Sequence, residues 1–354
     1  MMATRPARVR KLQRELLAWF DANARDLPWR RTADPYHIWV SEIMLQQTRV
    51  AAVLDYYSRF LGLFPSVAAL AVAREPEVLA AWSGLGYYRR AKLMHKAAQA
   101  VVREHQGALP RTAAELRKLP GIGEYTSSAI ASIAFGEPVA VVDGNVERVL
   151  LRIFPGDEKP TSPAAQGKWL RGHAGRLLDA QRPGDFNQSM MELGATVCLP
   201  QRPLCLQCPV QPFCATRGEH QAPSPKKMSS RQVAYALLRR NRAGATQVLL
   251  ERRPRSASLM PGMWELPEVA MQENDQERLE ITLRHAITVT NYRVQVLSFP
   301  EEEGKRRWPA REYPRKWADS SELGSLPLTG LARKILRRLQ ILPNGQEAVI
   351  WKVR

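Results

Sequence analysis

All four cysteines of the chain, Cys198, Cys205, Cys208 and Cys214, fall within seventeen residues in the pattern C-x6-C-x2-C-x5-C. Thiolates at such spacing can wrap one metal centre, either tetrahedral zinc or an iron–sulfur cluster. Zinc ribbons bring two C-x2-C knuckles and only one is present, which leans toward iron–sulfur. A pair of carboxylates is the second candidate for chemistry. Glu42 sits among apolar neighbours in Trp-Val-Ser-Glu-Ile-Met-Leu, surroundings that raise a carboxyl pKa and keep a proton available. The plain alternative is a surface glutamate on an amphipathic helix. Asp143 follows a short apolar run and precedes a helical pattern, so it is at least a candidate N-cap, and a helix N-terminus suits an anion. An acid and a fixed anion are what cleavage of a glycosidic bond requires. Third, Leu119-Pro120-Gly121-Ile122-Gly123 lies between two helical stretches. Such a Gly-x-Gly turn leaves N–H groups uncovered at a helix start and suits contact with a phosphate backbone, although it can equally be a plain connector.

The elements that must position these groups are mostly helical through residue 215. Val50, Val53, Leu54, Tyr57, Phe60 and Leu61 recur at helical spacing. Asp34-Pro35 predicts a helix start, Thr112-x-x-Glu115 a capping box, and residues 124–135 a helix that stops at Gly136. Residues 139–142 form the clearest strand-like run. Residues 216–230, rich in Pro, Ser and Lys, read as a linker. Beyond it, 232–238 and 247–251 predict paired strands across Asn-Arg-Ala-Gly, and 331–342 a helix. The organisation expected is a mainly α domain over 1–215 and an α+β domain over 231–345.

Lys and Arg number 52 against 34 acidic residues, a net charge of +18 carried by both halves, which points to a polyanionic partner. No 18-residue apolar run is present, so nothing predicts a membrane span. The basic start MMATRPARVRKLQRELLAWF lacks the pattern of a secretory signal. A cytoplasmic location is expected, where clustered cysteines bind metal rather than form disulfides.

The stretches LPWRRTADPYHIWVSEIMLQQTRV, GLGYYRRA, LPGIGEYTSSAI, VDGNVERV and FNQSMMELGATVC resemble the MutY-type adenine DNA glycosylases of the endonuclease III superfamily, nearly continuously over about residues 15–215. The resemblance implies a helix-hairpin-helix catalytic domain carrying a [4Fe–4S] cluster on Cys198, Cys205, Cys208 and Cys214. It implies that Gly121, Gly123 and Arg202 meet the DNA backbone. Glu42 would protonate the adenine; Asp143 would stabilise the sugar cation and bond to it transiently, with Asn145 helping to hold the site. Related lyases place a Schiff-base lysine two residues after the second glycine of the hairpin, where this chain has Tyr125. A phenol cannot form that imine, so water is the expected nucleophile, ordered by Tyr125, and strand cleavage is not expected. Trp29, Arg30, Leu45, Gln188 and Met191 are implied to line the pocket of a flipped adenine. Gln47, Thr48, Leu85 and Tyr87 are implied to meet or wedge beside the opposing damaged base. Taken singly, each apolar one of these would be read as ordinary core.

The second domain resembles the Nudix-like C-terminal domain of the same family, best at LMPGMWELP. A Nudix hydrolase needs a glutamate-rich helix for divalent metal. Here Glu268, Glu277 and Glu280 remain, but Ile281 and Leu283 stand where the last Glu and Gly of that motif belong, and Gln276 replaces its Arg. The expectation is a reader of 8-oxoguanine without pyrophosphatase activity. Its sensing loop, Phe-Ser-His in relatives, corresponds to Ile287-Thr288-Val289, in which Thr288 keeps a hydroxyl. The partner implied is double-stranded DNA with A:8-oxoguanine or A:G mispairs, bound by a nucleoid-associated monomer. Three other readings remain at this point. An endonuclease III-like glycosylase/lyase for oxidised pyrimidines is opposed by Tyr125, and a non-catalytic iron–sulfur DNA-binding protein by the Glu42/Asp143 pair. A Nudix hydrolase is opposed by the degraded motif.

Overall fold

The computed structural model describes residues 6–155, 162–218, 228–242, 244–287, 289–303 and 313–342. In chain order its helices are α1 (Pro6–Asn23), α2 (Pro35–Leu45), α3 (Val50–Leu63), α4 (Val67–Val72), α5 (Glu75–Trp82), α6 (Arg89–His105), α7 (Ala113–Leu116), α8 (Glu124–Phe135), α9 (Gly144–Ile153), α10 (Pro163–Leu177) and α11 (Pro183–Thr196). The strands follow as β1 (Ser229–Arg242), β2 (Ala245–Arg252), β3 (Trp264–Glu265), β4 (Glu268–Val269), β5 (Leu279–Ile287), β6 (Thr290–Phe299) and β7 (Arg315–Asp319), and then helix α12 (Gly330–Arg338). The chain divides into two compact units. One comprises Met1–Tyr57, Ser66–Ala71 and Lys96–Ser224, the other Ser58–Pro65, Val72–His95 and Pro225–Arg354. The division does not follow the linker alone, because two stretches of the helical half group with the sheet. Among the described residues no helix is long and apolar enough to cross a membrane.

In the first unit, α2 starts where Asp34 Oδ1 accepts from Tyr36 N at 2.7 Å, with Pro35 at the first helical position. The helix is buried on nearly every side, from Tyr36 through Met44, and carries Glu42 inward. The surface-glutamate alternative is thereby excluded. Helices α1, α9, α10 and α11 share a core built from Leu12, Leu16, Val149, Leu150, Leu177, Phe186 and Leu193. Helix α8 ends at Gly136, whose φ of 69° lets its N–H turn back to the carbonyls of Ala131 and Ser132. Thr112 caps α7 as expected, accepting from Glu115 N at 3.3 Å. The other half of that box goes elsewhere, since the Glu115 carboxylate pairs with Lys118 at 2.7 Å.

One expectation is corrected. Residues 139–142 run without strand pairing. The Asn187 side chain takes the place of a neighbouring strand, accepting from Val141 N at 3.0 Å and donating to Val139 O at 2.8 Å. The backbone groups are satisfied by one amide rather than by a ladder. This fixes the approach to Asp143.

The second unit is built on a mixed sheet of order β3-β2-β1-β6-β5, with β4 pairing β1 and β7 pairing β2. The predicted hairpin is present, with β1 and β2 antiparallel from Arg239↔Val248 to Arg242↔Ala245. Strands β1 and β6 run parallel from Ser229↔Thr290 to Leu238↔Phe299. Strand β1 is central and buried on both faces: Val233, Tyr235 and Leu237 look into one core, Ala234, Ala236 and Leu238 into another. Helix α12 lays Leu331, Ala332, Ile335 and Leu336 on the first of these. No glutamate-rich α-helix forms here among the described residues. Glu268 lies in β4, Glu277 in a short 3-10 helix, and Glu280 in β5, where it pairs with Arg239 at 3.0 Å. Thr288, and 219–227 of the expected linker, lie outside the described residues.

Candidate active site

Helix α2 delivers Glu42 to the interior with 6% of its surface exposed. Burial pushes its carboxyl up to about 7; the Tyr125 hydrogen bond pulls against this, and the Asp143 charge adds to it. Tyr125 sits in the first turn of α8 and donates from Oη to Glu42 Oε2 at 2.5 Å, with Met191 Sδ 3.5 Å away. Burial and the charges of Glu42 and Asp143 hold the phenol protonated. Gln46 ties the end of α2 to α8 through Thr126 Oγ1 at 3.1 Å.

Asp143 is the N-cap of α9. Its Oδ1 accepts from Val146 N at 2.7 Å and its Oδ2 from Asn145 Nδ2 at 2.9 Å. Two donors and a helix N-terminus converge on it, an arrangement that holds an anion. The chain thus brings Glu42, Tyr125, Asp143, Asn145 and Met191 together. Such a site pairs a buried proton donor with a fixed negative charge.

The hairpin leads directly into this centre. Gly121 has φ 77°, and Gly123 is the N-cap of α8. A Cβ built on Gly123 meets nothing within 4 Å, and its φ of −86° is open to any residue. Nothing inside the fold asks for glycine there; the bare backbone leaves room for an outside partner to approach. Arg202 is exposed with φ 48° in the first cysteine loop.

The implied base-pocket residues are distributed unevenly. Trp29 is buried edge-to-face on Tyr57, ring centroids 5.3 Å apart. Arg30 donates to Glu192 Oε2 at 2.8 Å and lies over the Phe20 ring. Leu45, Gln188 and Met191 are half-buried. Just past α2, Gln47 is exposed with φ 56°, and Thr48 bonds the Gln46 carbonyl at 3.3 Å. Leu85 and Tyr87 belong to the second unit; Leu85 is buried and Tyr87 is 46% exposed.

Three groups near the site escaped the sequence reading. Glu192, 1% exposed, accepts from Arg25 Nε and Nη2 at 2.7 Å each as well as from Arg30. Burial pushes this carboxyl up, but the arginines outweigh it and hold it at about 2. The Arg30 charge also lowers Glu42. Arg148 joins Asn145 Oδ1 (2.9 Å), Gly194 O (2.7 Å) and Cys198 O (2.8 Å). At Gly194 α11 comes close to α9, since a Cβ there would stand 2.6 Å from Asn145 Cβ. Gly194→Ala is therefore expected to displace Asn145, to lower stability by about 1–3 kcal/mol and to slow turnover. Thermal unfolding beside a single-turnover assay checks both.

The four thiols lie close enough that Cys198, Cys205 and Cys214 each push Cys208 upward, adding to burial, which brings it to about 11. The loop is tied to α9 by Arg152, whose Nη1 reaches Cys198 Sγ at 3.2 Å and Leu199 O at 2.7 Å, and whose carbonyl lies 3.2 Å from Cys214 Sγ. Among the described residues no three His, Cys, Asp or Glu side chains close on a single ion. A loop carrying four cysteines, with Cys198 Sγ and Cys214 Sγ both against the buried Arg152, fits a larger, anionic, thiolate-bound group.

The chain matches the model for the HhH-GPD superfamily base excision DNA repair protein over residues 40–170. It is 41% identical over 327 residues to the adenine DNA glycosylase of Homo sapiens, covering 76% of this chain and 59% of that one. It is 40% identical over 213 residues to the adenine DNA glycosylase of Mycobacterium tuberculosis, covering 59% and 68%. The chain thus spans about three fifths of the length of the mammalian relatives it matches. Among solved structures, a thermostable thymine-DNA glycosylase is similar with TM-score 0.54 and 28% identity, over 60% of this chain and 97% of that one. A trapped endonuclease III–DNA covalent intermediate shares the fold, with TM-score 0.51 and 23% identity over 60% and 96%.

Proposed function

Because the chain belongs to the adenine DNA glycosylase family, we propose that it hydrolyses the N-glycosidic bond of adenine mispaired with 8-oxoguanine or guanine in duplex DNA. The observation that carries this reading is the buried Glu42 carboxyl, raised to about 7, bonded by Tyr125 and within reach of the Asp143 charge. The net charge of +18 and the glycine hairpin, with open space where a Gly123 side chain would stand, support DNA as the partner.

In this mechanism the adenine is extruded from the duplex into the site. Glu42 hands its proton to the departing base, so the base leaves neutral; positioned acids contribute about 10²–10⁴-fold. Tyr125 fixes the carboxyl by occupying Oε2. Asp143, held by Val146 N–H and Asn145, faces the sugar as positive charge develops and bonds to it transiently. Water then completes hydrolysis. With Tyr125 at the lyase position no imine forms, so the strand stays intact.

Cys198, Cys205, Cys208 and Cys214 would hold a [4Fe–4S] cluster, which when bound shapes the loop that presents Arg202; hydrolysis itself needs no redox step. Residues 231–345, Nudix-like in sequence, are assigned to checking the lesion rather than to pyrophosphate hydrolysis. The pairing of Glu280 with Arg239 supports this.

The test incubates the protein with duplexes carrying A:8-oxoguanine, A:G or an oxidised pyrimidine, with borohydride present in a parallel set. Adenine release from the first two without a trapped covalent adduct is expected. Release of the pyrimidine with an adduct would establish the lyase instead.

A further inference from the structure

Within the second unit, residues 83–88 join α5 to α6 in a turn of unusual backbone: Gly84 has φ 111°, Gly86 φ 73° and Tyr87 φ 48°. A tyrosine in the left-handed region costs conformational energy, so something must hold it there. The turn exposes the Tyr87 ring while burying both of its flanks, since Ser83 is 1% and Tyr88 4% exposed.

Those flanks converge on one acceptor. Ser83 Oγ donates to Leu328 O at 2.6 Å, and Tyr88 Oη donates to the same oxygen at 3.2 Å. Tyr88 Oη also accepts from Gly84 N at 3.2 Å, closing the turn on itself. Arg333, buried on α12, donates from Nε to Ser83 Oγ at 2.9 Å. The acceptor segment is itself fixed, because Thr329 N bonds Trp264 O and Trp264 N bonds Pro327 O, each at 2.9 Å. Trp264 belongs to the LMPGMWELP stretch. A continuous set of polar contacts, buried at Ser83, Tyr88 and Arg333, thus runs from that stretch through Leu328 to the turn that presents Tyr87. Packing alone would not require two hydroxyls on one carbonyl.

We propose that Ser83, Tyr88 and Arg333 are positioning residues that hold the turn so that Tyr87 enters the base stack beside the base opposite the extruded nucleotide. The inference rests on the proposed function in taking mispaired duplex DNA as the ligand. None of the three touches DNA in this account; they act through Tyr87. The sheet-bearing part of the chain thereby sets how the opposite base is probed, separately from any contact of its own with the lesion.

The experiment uses the full chain and a duplex with A opposite 8-oxoguanine and 2-aminopurine as the neighbour of that 8-oxoguanine. The fluorescence of 2-aminopurine rises when its stacking is broken, so it reports insertion without requiring catalysis. At saturating wild-type protein a rise is expected. Tyr88→Phe, which loses the Oη bonds to Leu328 O and Gly84 N, is expected to remove roughly half of the rise or more, since each bond lost shifts the turn's conformational balance several-fold. Ser83→Ala provides a second variant should Tyr88→Phe fail to fold. In a Tyr87→Ala background neither change should lower the remaining signal further, because the path through Tyr87 is already gone. A simple folding defect would lower the signal in both backgrounds. That outcome, a wild-type-like signal from Tyr88→Phe and Ser83→Ala, or no rise with wild type, overturns the proposal. Adenine release by the wild type is measured in parallel; its absence beside an intact fluorescence pattern counts against the proposed function and leaves this inference standing.

Discussion

Replacing Asp143 with asparagine is expected to cut adenine release by about 10³-fold, or about 4 kcal/mol of transition-state stabilisation, with the fold left in place. Asparagine caps a helix as well as aspartate does, and its carbonyl oxygen can still accept from Val146 N. What disappears is the carboxylate: its charge, the oxygen that accepts from Asn145 Nδ2 and the group that would bond to the sugar. The loss therefore measures the carboxylate's chemical work with the cap to Val146 kept, a separation that Asp143→Ala would blur. Single-turnover rates and thermal midpoints on the same preparations measure the two. A non-catalytic DNA-binding protein would show no change in its DNA function.

Glu42→Gln is expected to lower the rate by a similar factor, about 10³, and to change stability in the opposite sense. The Glu42 carboxyl lies at about 7 in the fold against 4.5 unperturbed. Its folded-state value is raised, so its contribution to stability is fully present below about pH 4.5 and is lost as pH rises through about 7. Glutamine carries no such dependence. The stability of Glu42→Gln relative to wild type should therefore grow between pH 4 and pH 8, on the order of 3 kcal/mol. Activity follows the same ionisation: the acid must carry its proton, so the wild-type rate should fall as pH rises through about 7. A variant that is slower yet more stable at pH 8 marks a group kept for chemistry. Chemical unfolding at the two pH values, beside the rate profile, gives both signs.

The sequence made the local elements plain where local chemistry decides them. Asp34-Pro35 starts α2, Gly136 stops α8, and the apolar runs around Asn-Arg-Ala-Gly pair as β1 and β2. Glu42, Tyr125 and Asp143 were legible because each lies in a distinctive motif. The run over 139–142 has strand composition, but whether it pairs depends on what folds against it, and Asn187 supplied the partner groups. The ion pairs of Glu192 with Arg25 and Arg30 join residues more than 160 apart in the chain, with no local pattern to announce them. The same holds for Arg148, whose acceptors on Gly194 and Cys198 lie 46 and 50 residues away in the chain. Gly194 reads as an ordinary helical glycine until α9 is placed against it.

The role of Glu42 as the acid is tested with wild-type protein and Glu42→Gln in excess over an A:8-oxoguanine duplex, following free adenine and reading strand length before and after alkali. Rapid adenine release by the wild type is expected, with strands intact until alkali is added and release about 10³-fold slower by the variant. Equal release by both proteins, or strands broken before alkali, would contradict this mechanism.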